Sequence, residues 1–268
     1  MTRQDPGAQA ANRFGVLEAD LVREPSVTAD TLLGGGLGLR QPAQGYRVNV
    51  DALLLAAFAA VGRRSELAVD LGAGVGTVGL LLARAGAARR LALVEREPDL
   101  AALAEQNLAA LAVRGTVYTV DLKTSGLPRP LVQRAELVAA NPPFFAAGSG
   151  RPRRDARQRS ARSGELEPFL RAAARALAGP KARAAFVYPA PALPALLLGA
   201  DAAGLVPKRL RFVHARRDAP ARVALVELRR AKPGGLVVEP PLVEWTGENR
   251  RSPELAALVA GHFEKSGA

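Results

Sequence analysis

Through the middle of the chain, short apolar runs alternate with longer stretches whose apolar residues recur at helical spacing. The strand-like runs fall at 67–70, 91–95, 116–121, 137–141 and 184–188. Helical stretches occupy 77–85, 99–112 and 165–178 between them. Strands of continuous apolar character separated by helices predict a parallel sheet covered on both sides. The pattern changes towards the C-terminus. Runs at 210–213 and 223–228 flank a basic turn, HARRDAPA, with no helix between them, which predicts an antiparallel hairpin. The expected fold is α/β: seven strands in a mostly parallel sheet that ends in this hairpin, with helices on both faces.

Ahead of this core, TLLGGGLGLRQPAQGYRV reads as another hairpin, two alternating runs around glycine- and proline-containing turns. The Gly34-Gly35-Gly36 cluster is followed by neither a helix start nor a lysine, so turn geometry suits it better than a phosphate loop. Asp51 is expected to cap the helix DALLLAAFAA. Residues 1–27 are polar and lack periodicity, which suggests a loosely ordered tail, with one domain over 28–268. The 17 uncharged residues from 184 to 200 contain Pro189, Pro191 and Pro194, and fall short of the roughly 20 unbroken apolar residues of a spanning helix. The N-terminus carries no apolar signal segment, so a cytoplasmic protein is expected.

Composition narrows the chemistry. At 268 residues with 49% hydrophobic content, the chain has room for a real core. It has no Cys, and His only at 214 and 262. This excludes disulfides, Cys-ligated zinc and thiol nucleophiles, and leaves little for a multi-His metal site; no metal is expected. The net charge is +12, and most of it sits in two places. Residues 151–162 hold Arg151, Arg153, Arg154, Arg157, Arg159 and Arg162 against one Asp. Residues 208–222 hold Lys208, Arg209, Arg211, Arg216, Arg217 and Arg222 against one Asp. A single charge run reads as a solvated loop. Two on an otherwise balanced chain point to a polyanion, and RNA is the expected partner. A membrane is the weaker rival, since neither run has an apolar face.

Residues 70–79 read DLGAGVGTVG, between a strand and a helix. Gly72, Ala73, Gly74 and Gly76 form a loop in which a ligand can approach the backbone without meeting Cβ atoms. Gly74, Gly76 and Gly79 also satisfy G-x-G-x-x-G, so a dinucleotide site is a rival. Asp70 favours S-adenosylmethionine (AdoMet), because a carboxylate there can face an ammonium group, whereas a pyrophosphate gains nothing from it. Glu95, with Arg96 beside it, ends the second strand and can accept from both ribose hydroxyls, as it could with NAD. Asp121, followed by Leu122, ends the third and can accept from an adenine amino group; an Asp there also suits a helix cap.

Asn141-Pro142-Pro143-Phe144 follows the fourth strand. Two prolines fix the backbone at a strand's carboxyl end, where open α/β sheets bind ligands. If the Asn141 side-chain oxygen and the Pro142 carbonyl accept the two hydrogens of an exocyclic amine, its lone pair is freed to attack a methyl group. Phe144 can stack the base, worth ~1–3 kcal/mol in comparable single-strand contacts.

Together these motifs resemble the class I AdoMet-dependent methyltransferases that modify planar amino groups. The segment GYRVNVDALLLAAF and the run AKPGGLVVEPPLVEW followed by SPEL are similar to parts of the bacterial tRNA(Val) adenine-N6 methyltransferase family. The resemblance spans roughly 28–260, although the tetrad ends in Phe rather than Tyr. It implies a Rossmann-like fold, AdoMet at Asp70, Gly72–Gly76, Glu95, Arg96, Asp121, Leu122 and Asn141, and an adenine flipped between Asn141 and Phe144. A monomer would suffice. Guanine N2 in ribosomal RNA and a protein glutamine are alternative substrates, and a non-catalytic RNA-binding module is the alternative from another class.

Overall fold

The computed structural model describes residues 27–43, 49–143, 156–248 and 250–263. Strands β1 (Val27–Leu32) and β2 (Leu37–Pro42) pair antiparallel from Val27 opposite Pro42 to Leu32 opposite Leu37. The turn between them is 3-10 in form, with Gly34 at φ +62° and Gly35 at φ +98°, where a side chain would be strained. The tail expected over 1–27 lies outside the described residues, except that Val27 already opens β1.

Helix α1 (Val50–Ala60) begins one residue earlier than its expected cap. Asn49 is the cap, its side chain accepting from the Ala52 N–H at 3.2 Å. Asp51 instead lies in the first turn, buried, with Arg222 as its ion-pair partner at 2.7 Å. An aspartate beside a better-placed asparagine is free to take a long-range partner.

From here the alternation runs as expected. β3 (Ser65–Leu71), α2 (Thr77–Arg84), β4 (Ala88–Glu95), α3 (Pro98–Ala110), β5 (Gly115–Thr119) and β6 (Leu137–Ala140) follow in order. Helix α4 (Ala156–Ala176) begins nine residues before the expected 165, so the second half of the first arginine run is helix rather than loop. After β7 (Arg183–Pro189) comes α5 (Leu193–Ala202), built from the uncharged proline-bearing run, with Pro194 in the first turn, where its missing N–H costs nothing. β8 (Val206–His214) and β9 (Ala221–Arg229) form the expected hairpin. Two-residue strands β10 (Val237–Val238) and β11 (Leu242–Val243) pair parallel to β8, and α6 (Pro253–Val259) ends the described fold.

The main sheet runs β10-β8-β9-β7-β6-β3-β4-β5, with β11 also on β8. Strands β3 to β7 are mutually parallel and β9 is antiparallel to both neighbours. The seven strands expected are present, lengthened by the two short additions. One face of the sheet is covered by α1, α2, α3, α6 and the N-terminal hairpin, through Leu39, Leu55, Leu81, Leu93 and Leu108. The other packs on α4 and α5 through Leu71, Leu170, Leu177, Phe186 and Leu196. Among the described residues no helix is long and apolar enough to cross a membrane. The chain turns to opposite sides of β3 when it makes β4 and β6, so the carboxyl ends of β3 and β6 border a topological switch point.

Candidate active site

A cavity of about 270 Å³ opens at that switch point. Gly72 and Gly74 form its floor beyond β3. Val94 and Glu95 come from the end of β4, Asp121 and Leu122 from beyond β5, and Asn141 and Pro143 from beyond β6. The glycine loop is held against β4 by its own N–H groups. Those of Gly72 and Ala73 donate to the Val94 carbonyl at 2.8 and 3.0 Å. The Gly74 N–H donates to Glu95 Oε2 at 2.7 Å. Glu95 Oε1 accepts from the N–H groups of Arg96 and Glu97 at 2.8 and 2.9 Å. Glu95 is therefore fixed by three backbone donors while still lining the cavity. Its carboxylate retains lone pairs for a diol.

The glycines divide by function. Gly72 sits at φ +70°, and a Cβ there would stand 2.8 Å from Cε1 of Phe169. Gly76 and Gly79 do not line the cavity; Cβ atoms on them would stand 2.9 and 2.6 Å from the methyls of Leu93. They permit close packing of α2 on β4. Ala73 is buried beside them and also stays out of the cavity.

Asp70 likewise does not line the cavity. It is 2% exposed, and its Oδ2 accepts from the Gly79 N–H at 2.8 Å, tying the end of β3 to the first turn of α2. Burial pushes its pKa from 3.8 up to about 7; the Gly79 bond opposes this rise and the nearby Glu95 charge adds to it. Asp121 Oδ1 accepts from the Lys123 N–H at 2.8 Å. Of the tetrad, Asn141 and Pro143 face the cavity, Pro142 is buried beneath them, and Phe144 lies outside the described residues.

Several lining residues carry no motif. Glu165, Pro168 and Phe169 come from α4, across the cavity from the glycine loop. The helix approaches because its apolar stripe, Leu166, Leu170 and Ala173, is buried on the sheet. The only signal in the sequence is that stripe. Asn107 on α3 acts from behind: its Nδ2 donates to the carbonyls of Val75 and Arg40 at 3.0 Å each, and its Oδ1 accepts from the Arg40 N–H at 2.8 Å. One buried amide thus fastens the glycine loop to the N-terminal hairpin.

The lining fits a nucleoside with positive charge. Gly72 leaves space beside Phe169 that a Cβ would fill, Val94, Leu100, Val120 and Leu122 supply apolar walls, and Glu95 and Asp121 supply acceptors. Four carboxylates, Glu95, Glu97, Asp121 and Glu165, outnumber the cations Arg96 and Lys123. That balance suits a sulfonium and disfavours a pyrophosphate.

The basic runs fare unequally. Arg151, Arg153 and Arg154 lie outside the described residues, while Arg157, Arg159 and Arg162 fall in the N-terminal half of α4. In the second run, Lys208 donates to the carbonyls of Lys232 and Gly234 at 2.7 and 2.6 Å. Arg209 pairs with Glu227 and Glu239 at 3.3 and 3.4 Å and lies 4.0 Å over the Phe58 ring. Both positions expected at an RNA backbone are thus occupied in holding the fold. Arg216 and Arg217 have no side-chain hydrogen bond or ion pair among the described residues.

A family profile for the methyltransferase small domain matches residues 49–159. The tRNA1(Val) (adenine(37)-N6)-methyltransferase of Porphyromonas gingivalis is 32% identical over 193 residues, covering 69% of this chain and 75% of that protein. Among solved structures, a predicted O-methyltransferase from Agrobacterium tumefaciens superposes with a TM-score of 0.63 at 23% identity, over 81% of this chain and 98% of that one. A 16S rRNA N2 guanine methyltransferase of Thermus thermophilus, in complex with AdoMet and guanosine, gives 0.53 at 20% identity, over 77% of this chain and 50% of that one. The sheet order and switch-point cavity, with these likenesses, define the class I methyltransferase fold. The identity and coverage against the Porphyromonas protein go further: the chain belongs to the tRNA1(Val) adenine-N6 methyltransferase family.

Proposed function

We propose that this protein transfers a methyl group from AdoMet to the exocyclic N6 of an adenine in tRNA(Val), beside the anticodon. The observation that carries the reading is the position of Asn141 and Pro143 on the rim of an acid-lined nucleoside cavity, at the carboxyl end of β6. The names of the family's curated members support the substrate.

When bound, AdoMet supplies an electrophilic methyl group on a sulfonium. The Gly72–Gly74 backbone and Glu95 hold the nucleoside portion, with Asp121 and Leu122 at the base. The Asn141 Oδ1 and the Pro142 carbonyl accept the two N6 hydrogens and localise the nitrogen lone pair. AdoMet held there would supply the methyl group for the new N–C bond as its S–C bond breaks, and the N6 nitrogen would release one proton to solvent. No histidine or thiol is needed. Phe144 provides the stacking face, and Arg151, Arg153, Arg154, Arg157, Arg159 and Arg162 hold the RNA backbone beside it. The catalytic unit begins with β1 at Val27, with the residues ahead of it as an appended tail.

The test is methylation of total RNA from cells lacking this enzyme, followed by nucleoside mass spectrometry. N6-methyladenosine is expected, and Asn141→Ala should reduce it by at least a hundredfold, on the order of a lost transition-state hydrogen bond. N2-methylguanosine as the product, or no RNA product, would overturn the reading.

A further inference from the structure

A second cavity, of about 640 Å³, lies at the tip of the β8–β9 hairpin. We propose that it is a subsite for a nucleotide flanking the target adenine on the same RNA strand, with Trp245 as the stacking surface and Arg216 and Arg217 as the phosphate contacts. The proposal rests on the function assigned above and adds to it where the strand runs.

Topology places the cavity on the correct edge of the molecule. β9 is antiparallel to both β7 and β8, so β8 runs parallel to β6 and β7. The hairpin tip therefore emerges at the carboxyl edge of the sheet, the edge that carries Asn141. Three strand steps separate β6 from β8, about 14 Å at the usual spacing of sheet neighbours. Register shows that the tip also rises past the active site. β6 ends with Ala140 opposite Phe186, whereas three residues further along β7, Pro189 stands opposite Val223, which is itself opposite Val213. The tip thus stands on the same edge of the sheet as Asn141 and further out along the strand direction, a separation that a few nucleotides of one strand can span.

The chemistry of the lining suits a nucleotide. Trp245 is the only tryptophan of the chain and half-buried, and its backbone N–H donates to the Ala215 carbonyl at 3.0 Å, which ties this segment to the hairpin. His214 Nδ1 lies 2.7 Å from the Ala219 carbonyl, which can only accept, so Nδ1 donates and the turn is closed. Arg216 and Arg217 face one acid, Asp218, in the lining. Four other basic residues of the run, Lys208, Arg209, Arg211 and Arg222, are engaged with carbonyls and carboxylates of the fold. An aromatic surface beside two guanidinium groups that have no side-chain partner among the described residues is the combination by which proteins bind single-stranded nucleic acid. A cavity built only to close the fold would pair those cations internally, as the rest of this run is paired.

Fluorescence with tryptophan-selective excitation tests this directly, since Trp245 is the only tryptophan of the sequence. Titration of the full chain with a short oligoadenylate should quench the emission saturably, and more weakly as salt rises. The double substitution Arg216→Glu with Arg217→Glu should abolish the quench, while Asn141→Ala should leave it intact. In steady-state methylation, Trp245→Leu should raise the KM for RNA roughly tenfold with kcat nearly unchanged, and Trp245→Phe should restore most of the loss. AdoMet affinity by calorimetry should be the same as wild type in the Trp245 and Arg216/Arg217 variants. No quench, or a quench that the double substitution leaves unchanged, overturns the subsite even where methylation proceeds. Failure of AdoMet to bind the wild type overturns the catalytic reading instead, and the oligoadenylate titration still decides the subsite.

Discussion

Arg217 and Arg222 lie five residues apart at one end of the molecule, in a run that a charge count treats as uniform. Arg217 lines an open cavity and has no partner among the described residues. Arg222 stands between two buried carboxylates: Nη1 is 2.7 Å from Asp51, and Nη2 is 2.6 Å from Glu244. It joins the first turn of α1 to β9 and to the segment after β11. Arg211 makes a similar link to Glu254 on α6 at 2.6 Å. The charge a segment carries and the charge it offers to a partner are thus different quantities. What separates them is where acidic residues distant in sequence come to lie. The +5 of residues 208–222 reduces, for a polyanion, chiefly to Arg216 and Arg217.

The comparison can be broken first at Arg222. Arg222→Ala leaves Asp51 and Glu244, which are 4% and 5% exposed, buried without their counter-charge. Removing one partner from a buried ionic cluster costs about 3–5 kcal/mol. Denaturant unfolding should show a loss of that size, with the midpoint lowered accordingly. A loss below about 1 kcal/mol would mean that the two carboxylates are paired elsewhere or reach water, and that Arg222 belongs with Arg217 after all.

A second pair of residues repeats the contrast with acids. Asp70 and Glu95 end adjacent strands and both look like ligand contacts. Glu95 is met by three N–H groups and faces the cavity, whereas Asp70 is sealed behind it with one. The Asp70 carboxyl holds its proton in the folded chain up to about pH 7 and in the unfolded chain only to its ordinary 3.8. Its folded pKa is raised, so between those values the unfolded state binds fewer protons and stability falls as pH rises. Asp70→Asn keeps an oxygen for the Gly79 N–H and removes the titration. At pH 8 it should be more stable than the wild type by on the order of 2–4 kcal/mol, and near pH 4 little different. Equal stabilities at both pH values would show that Asp70 ionises freely.

The sequence made the catalytic edge legible because its parts are local. The glycine loop, the acids at strand ends and the Asn-Pro-Pro turn each occupy consecutive residues, and the strand–helix alternation brings them together. Position alone did not separate Asp70, which braces α2, from Glu95, which lines the site. Asn107, Pro168 and Phe169 were not legible, because each is brought to the glycine loop or the cavity by packing of a helix that carries no motif there. Helix α5 was missed because a run of leucine, alanine and proline has no polar stripe to reveal a helical period. The start of α4 was misplaced for the opposite reason: its first turns are arginine-rich, and no apolar face marks them. The cap of α1 went to Asn49 rather than Asp51 because two capping residues stood two apart, and the choice depended on Arg222.

The smallest expected change of fold is also the sharpest test of the contrast. Replacing Arg216 and Arg217 by Ala removes two exposed charges with no side-chain hydrogen bond or ion pair among the described residues, so unfolding free energy should move by no more than about 0.5 kcal/mol. The effect should appear instead in RNA affinity. Each phosphate contact on a single strand contributes a slope of about 0.7 in log affinity against log salt, so losing two should flatten it by about 1.4. A destabilisation comparable to that of Arg222→Ala, with an unchanged salt slope, would place these two arginines in the scaffold with the rest of their run. An unchanged stability with a flattened slope keeps them as the part of the run that faces RNA.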